Sequence, residues 1–332
     1  MPDFGELVGR RVVVRSRVPG ERGPSGGPAY TDVVGRLLSY DGSTLRIQRR
    51  DGREAYVPAA DVVAAKPVPE GSARVRTRPA MDYSPEELAR ICTRGWPPRI
   101  TQDLGEWTLR ASGGFTGRAN SVAVHGDPGA DLPTALAQVE GFYRAQGLPA
   151  KAQVIDQTPW PGRFADAGWV GTGGTHDHAV VLVAAARAVL ETSRTGRQDG
   201  EATVRIDETL TEPWMAAAER VTADVPLDDV RHVLASPPVV GFAVVEGDSG
   251  IEAVARIVVT GEWAGLSSVH TLPQARRRGH AARLLEACTR WAWDRGADKV
   301  YLQTMRHSRA ALALYEGYTF EVHHTYRYLS PA

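Results

Sequence analysis

Apolar residues recur at helical spacing over 281–292: Ala281, Leu284, Leu285, Cys288, Trp291 and Ala292 form a stripe, and Arg283, Glu286 and Arg290 fall off it. The pattern predicts an amphipathic helix with one buried face. Strands are predicted before it over 241–245, 253–259 and 264–269, with Trp214 opening helices ahead of them. After it, 299–304 reads as a short strand and 308–315 as a second helix. The stretch 83–190 repeats this mixture. Ser84, Pro85 and Glu87 form a capping box at a helix that Trp96 closes; strands fall at 107–111, 121–125, 152–155 and 178–184; a helix runs over 132–146 to Gly147. The first 69 residues differ, with short alternating runs at 11–15, 32–39, 44–49 and 54–58 separated by Asp-Gly turns. A loop rich in glycine and proline covers 19–28, and a one-turn helix and last strand are expected over 57–63.

The fold class these elements predict is α/β in the α+β sense. A small SH3-like β-barrel occupies 1–69, a linker 70–82, and two mixed helix-and-sheet halves 83–200 and 201–332. Length and composition agree, since 332 residues with 42% hydrophobic content suffice for two or three packed domains. Charge removes one class of argument: 39 basic and 39 acidic residues leave a net charge of zero, so bulk electrostatics gives no reason to expect nucleic acid or an anionic membrane. Arg10, Arg11, Arg15, Arg17, Arg46, Arg49, Arg50 and Arg53 make the barrel locally basic, which admits contact with nucleic acid or an acidic protein. The scarcity of aromatic residues among them favours a solvated surface. Cys92 and Cys288 lie far apart and read as reduced thiols; with no leader-like segment and no membrane-length apolar run, a cytoplasmic protein without membrane contact is expected. No metal is expected.

The candidate chemistry sits where the strand ending near Thr271 meets the amphipathic helix. Arg276, Arg277, Arg278, Gly279, His280 and Ala281 form an Arg-x-x-Gly-x-Ala turn. Gly279 removes a side chain where a ligand approaches closely, and unpaired N–H groups at a helix start suit a phosphate. Such a turn alone is generic.

Residues downstream narrow it. Pro273, Arg276, Gly279, Ala281, Ala311, Tyr315, Glu316 and Phe320 follow in an order and spacing that resembles the GNAT superfamily of acyl-CoA N-acyltransferases. Ser308 stands where that family usually has Asn, and Thr319 replaces the glycine of its Gly-Phe pair. The resemblance implies acetyl-CoA as cosubstrate. Arg276, Arg277, Arg278, Gly279, His280, Ala281 and Ala282 would hold its pyrophosphate, and Val269, His270, Thr271 and Ser308 its pantetheine arm and thioester. Tyr315 lies where the family places its general acid, and Glu262, just before the motif strand, is the candidate base, with His270 and His307 as alternatives.

The half over 83–200 resembles the degenerate amino-terminal half of tandem GNAT proteins. It lacks the Arg-x-x-Gly-x-Ala turn, so it is expected to shape the acceptor site and not to hold the cofactor. In its 115–121 loop, Arg118 and Asn120 suit a carboxylate, although a well-capped structural turn accounts for them equally. The three-part layout resembles an actinobacterial acetyltransferase family to which N-acetylglutamate synthase activity is attributed, some members being described as histone-acetyltransferase-like. It implies N-acetylation of a small amino acid, glutamate first. Acetylation of a protein or peptide amine and an acyl-CoA sensor stand as alternatives. The expected partner is a small-molecule amine, and a homodimer stays open.

Overall fold

The computed structural model describes residues 4–22, 27–49, 53–67, 78–174, 177–194, 203–219, 224–247 and 250–332. They fall into two compact units, Met1–Thr77 and Arg78–Ala332. In the first, β1 (Arg11–Arg22), β2 (Pro28–Tyr40), β3 (Thr44–Arg49), β4 (Glu54–Pro58) and β5 (Val62–Pro67) form an antiparallel sheet in the order β4-β3-β2-β1-β5. Period-two alternation produces its core, since β2 buries Val33, Gly35 and Leu37 and exposes Val34 and Arg36. Phe4, Leu7, Val12, Val14, Leu45 and Ile47 complete that core. Gly35 has no room for a Cβ because the Gln48 carbonyl lies against it. The helical turn Ala59–Asp61 leads into β5, as the sequence predicts. β1 runs on into the expected 19–28 loop, of which 23–26 lie outside the described residues, as does Arg50. Among these arginines, Arg15 pairs with Asp32 at 2.8 Å and Arg46 with Glu54 at 2.6 Å. Of the expected linker, 70–77 lie outside the described residues; Ala80–Asp82 is a helical turn.

The second unit opens with α1 (Pro85–Gly95). Its capping box is formed: the Glu87 N–H donates to Ser84 Oγ at 3.2 Å, and the Ser84 N–H donates to the Glu87 carboxylate at 2.6 Å. Then come β6 (Ile100–Leu104), β7 (Trp107–Ala111), β8 (Val122–Ala123), α2 (Leu132–Ala145), β9 (Ala152–Ile155), α3 (Trp160–Asp166), β10 (Trp169–Gly171) and β11 (His178–Ala185). The second half follows as α4 (Ala186–Arg194), β12 (Val204–Asp207), α5 (Glu212–Ala217), α6 (Leu227–Ala235), β13 (Val240–Gly247), β14 (Gly250–Thr260), β15 (Trp263–Thr271), α7 (His280–Asp294), β16 (Lys299–Met305), α8 (Arg309–Glu316) and β17 (Glu321–Pro331).

All these strands share one 12-stranded sheet, ordered β12-β13-β14-β15-β16-β11-β17-β9-β8-β7-β6, with β10 paired to β17. Each half contains one parallel pair spanned by a helix, β8–α2–β9 and β15–α7–β16. Each half also lends its last long strand to the other: β11 pairs with β16, and β17 pairs with both β11 and β9. The halves therefore cannot separate without breaking the sheet. One face is covered by α7, with Leu284, Leu285, Cys288 and Ala292 against Ala255, Ile257, Ala264, Leu266, Val300 and Leu302. The other is covered by α1, whose Leu88, Ile91 and Cys92 pack on Val181, Val183, Trp263 and Tyr301. Among the described residues no helix is long and apolar enough to cross a membrane.

Candidate functional site

β15 and β16 stay parallel partners only from Trp263↔Lys299 to Leu266↔Leu302. Past that point β15 carries a bulge: Ser267 faces Arg256 and His270 faces Val254 across β14, so Ser268 and Val269 share one opposing residue. Ser268 takes a left-handed φ of 52°, and its buried hydroxyl makes no hydrogen bond. The strand end at Val269, His270 and Thr271 thus parts from β16. This is where an acyl thioester with a flexible arm would enter.

The loop beyond it ends at Gly279, which stands at the N-cap of α7 with φ 80° and leaves the helix without a side-chain cap. The first N–H groups of a 15-residue helix therefore remain open to an anion. Arg277 also sits at a left-handed φ of 67°. The basic residues divide. Arg276 Nε donates to the Thr271 carbonyl at 3.3 Å and folds the loop back on its strand. Arg278 is held by Glu252 on β14 at 2.9 Å, and buried His280 presents Nε2 2.8 Å from the other Glu252 oxygen, off the line of a hydrogen bond. Glu252, which no motif in the sequence singles out, fixes the loop and offsets part of its charge. Ala282 is buried and Ala281 half-buried.

Tyr315 on α8 is 6% exposed, packed on Phe320 with ring centroids 5.6 Å apart. Burial, with Cys288 nearby, pushes its phenol up to about 12. Ser308 forms the N-cap of α8 without using its hydroxyl as a cap. Val269, Tyr315 and α7 belong to the same apolar cluster, so the loop, Ser308 and Tyr315 lie toward one face of the sheet.

Three sequence-predicted residues are placed differently. Glu262 lies in the turn between β14 and β15, at the far end of a nine-residue strand, roughly 30 Å of chain from Thr271. Its carboxylate pairs with the buried Lys299 ammonium at 3.0 Å and accepts from the Tyr83 hydroxyl, so it staples α1 to the parallel pair and is no base for the cleft. Asn120 is saturated: its side-chain oxygen accepts from Ser112 N–H at 2.7 Å and Gly114 N–H at 2.9 Å, and its amide donates to the Phe115 and Thr116 carbonyls at 2.8 and 2.9 Å. It builds the loop and has nothing left for a ligand. His270 belongs to the strand end by its backbone, yet its ring points away from the α7 face.

Arg118 is not saturated in the way Asn120 is. Its guanidinium lies 4.3 Å from the Trp96 ring centroid, on the α1 side of the sheet, and among the described residues no carboxylate pairs with it. Arg256, whose guanidinium lies 5.1 Å from the same ring centroid, is fully buried. Arg256 donates to the Leu234 carbonyl at 2.7 Å and the Gly95 carbonyl at 3.0 Å, the C-terminal ends of α6 and α1. Those negative helix ends compensate a cation that has no carboxylate partner among the described residues, although burial still lowers its affinity for the proton, to about 9. The signal in the sequence was a single arginine inside the apolar run 253–259.

The first half has the same architecture and a different chemistry. α2 is capped by Asp131, whose carboxylate accepts from Thr134 N–H at 2.9 Å. Asp127 accepts from Gly129 N–H at 2.7 Å just ahead of it. A hollow persists between 126–132 and Trp160, with both carboxylates on its wall. Arg163 lines it as well, but the helix start itself is already taken by the Asp131 carboxylate.

Over residues 86–329 the chain matches the family described as "Probable histone acetyltransferase Rv0428c C-terminal", and over 7–66 the one described as "Rv0428c N-terminal Sm-like domain". The barrel expected to be SH3-like thus corresponds to a domain described as Sm-like. The chain is 26% identical over 250 residues to the uncharacterized N-acetyltransferase YobR of Bacillus subtilis (strain 168), across 73% of this chain and 97% of that protein. In fold it is similar to a GCN5-related N-acetyltransferase from Kribbella flavida, with a TM-score of 0.56 at 16% identity over 74% of this chain and 95% of that one. A tandem GNAT protein from the clavulanic acid biosynthesis pathway gives a TM-score of 0.53 at 10% identity over 73% and 86%.

Proposed function

The chain belongs to the family described as probable histone acetyltransferase Rv0428c and is an N-acetyltransferase of the GNAT type; from that premise we propose that it moves the acetyl group of acetyl-CoA to the α-amine of a small amino acid, glutamate first. The uncapped start of α7 behind Gly279 carries the donor part of this reading. Gly279, His280, Ala281 and Ala282 would offer backbone N–H groups to the pyrophosphate, with Arg276 and Arg277 over it and Arg278 held in place by Glu252. Ser308 and the strand end at 269–271 would take the pantetheine arm and the carbonyl oxygen. When bound, acetyl-CoA supplies an activated acetyl group.

Tyr315 holds its proton throughout the neutral range, because burial raises its phenol to about 12. A phenol held that high is a weaker acid than a thiol. It therefore assists the leaving sulfur first by hydrogen bonding, and passes its proton on as the attacking nitrogen gives up its own. On the other face, Arg118 stacks on Trp96 and, among the described residues, pairs with no carboxylate; it would pair with the carboxylate of the acceptor.

A second reading has one observation behind it: the matching family is described as a probable histone acetyltransferase, which favours a protein amine. CoA release measured with glutamate and with lysine-containing peptides separates the two. Turnover of glutamate supports the first reading, and turnover of peptides alone supports the second. Acetyl-CoA binding with neither acceptor consumed would indicate a binding module and overturn both.

A further inference from the structure

With Glu262 stapled at the far end of β15, the cleft lacks the proton acceptor that the sequence assigned to it. The bulge supplies another. Along β15, Ala264 and Leu266 pack toward α7, whereas Trp263 packs under α1 and the Ser267 hydroxyl lies 3.4 Å from Arg256. The bulge at Ser268 restarts the alternation, Val269 returns to the α7 cluster, and His270 is directed to the opposite face. There its Nε2, buried and without a hydrogen bond, lies 3.5 Å from the carboxylate of Glu219, just beyond the end of α5. Glu219 is held at a left-handed φ of 49°. The donor would occupy the face carrying the α7 loop, Ser308 and Tyr315. An amine must then reach the carbonyl from the other face, which is the one His270 shares with Trp96 and Arg118.

We propose that His270, oriented by Glu219, is the group that takes the proton from the acceptor amine, an inference that rests on the acetyltransferase reading above. A carboxylate 3.5 Å from Nε2 favours the tautomer that carries its proton there, which leaves Nδ1 as the free base. The ammonium gives one proton to Nδ1, and its lone pair forms the C–N bond as the C–S bond breaks. The nitrogen's second proton replaces the one Tyr315 gives to sulfur, and the imidazolium returns its proton to water. Of the other charged groups on the neighbouring elements, Glu252 is committed to Arg278 and His280, and Arg276 to the Thr271 carbonyl.

The test uses the full chain carrying His270→Gln or Glu219→Gln. Acetyl-CoA affinity by calorimetry and the thermal midpoint should match the native protein. With whichever amine the native protein acetylates, kcat should fall roughly 100-fold or more in His270→Gln and about tenfold in Glu219→Gln, with the amine KM nearly unchanged. A His270→Gln kcat within twofold of native overturns the proposal and leaves the acetyltransferase reading intact. Native protein that acetylates neither amine overturns that reading, and a second measurement then judges His270. Carbethoxylation of His270 by diethyl pyrocarbonate, followed by mass spectrometry, should proceed with acetyl-CoA bound, because the donor lies across the sheet. Protection of His270 by acetyl-CoA alone would overturn its placement on the acceptor face.

Discussion

The units β8–α2–β9 and β15–α7–β16 have the same construction, a parallel pair spanned by a helix, and differ in what meets the first N–H groups of that helix. In the first half the Asp131 carboxylate fills the place; in the second, Gly279 leaves it empty. Capping helps the fold and forfeits the ligand, so the uncapped helix start is a stability cost of about 1 kcal/mol retained where an anion is to bind. The strands show the same division. β8 is two residues long and has no room for a bulge, whereas β15 is nine residues long and uses its bulge to part from β16. The fold is duplicated and the open helix start is not.

The largest test of that comparison transfers the carboxylate from one half to the other. Gly279→Asp puts negative charge and bulk at the start of α7, and acetyl-CoA affinity measured by calorimetry should fall at least about 100-fold, or roughly 2.7 kcal/mol. Asp is among the residues that tolerate the left-handed φ, so the fold should survive. Unchanged affinity would remove the α7 loop from the donor site.

Next in size is Arg256→Met, which has no counterpart among charged pairs on the surface. The Gly95 and Leu234 carbonyls lose their donor inside the core, and stability to denaturant should fall by about 2 kcal/mol. Arg110 in the first half is the matching test. It is also buried and donates to the Ser121 carbonyl at 2.8 Å and to Gln153 at 2.5 Å, so Arg110→Met should cost a similar amount. A near-zero effect in either would mean that the cost of burying the cation cancels its bonds. Smaller again is Asp131→Ala, about 1 kcal/mol in stability with acetyl-CoA affinity unmoved. Any gain in acetyl-CoA binding stoichiometry would show that the first half still holds a donor site closed only by its cap.

What the sequence disclosed and withheld follows from the range of the forces involved. The capping box at Ser84 and Glu87, the α2 and α7 helices and the glycine turn before α7 are local, set within a few residues by periodicity and backbone freedom, and they were legible. The exchange of β11 and β17 joins strands that are far apart in the chain, and no local pattern encodes it. Asn120 illustrates a different limit: a polar loop residue suited to a ligand is also suited to its own backbone, and four short bonds decided for the backbone. Glu262 was misplaced because adjacency to the motif strand was taken for adjacency to its working end. His270 was visible as an imidazole, but only the bulge reveals which face it serves, and only the end of α5 supplies Glu219.

Least visible at neutral pH is the response of stability to pH. His125, just past β8, is buried with its proton affinity lowered from 6.5 to about 3, and His324 on β17 is lowered similarly; burial is the first cause in both. A histidine depressed in the folded state contributes stability that is complete above the unfolded value and is lost as pH falls from 6.5 toward 3, because the unfolded chain takes up the proton first. Tyr315 has the opposite behaviour. Its folded value is raised to about 12 from 10, so its contribution is complete below pH 10 and is lost as pH rises from 10 toward 12. Denaturation midpoints followed against pH should therefore decline at both extremes. His125→Gln should flatten part of the acid limb and leave the alkaline limb alone, and Tyr315→Phe should do the reverse. Tyr315→Phe should also lower kcat by roughly tenfold or more at unchanged acetyl-CoA affinity, which keeps its structural and chemical roles apart. If both variants followed the native curve at both extremes, the two buried groups would not be the proton-linked parts of their halves.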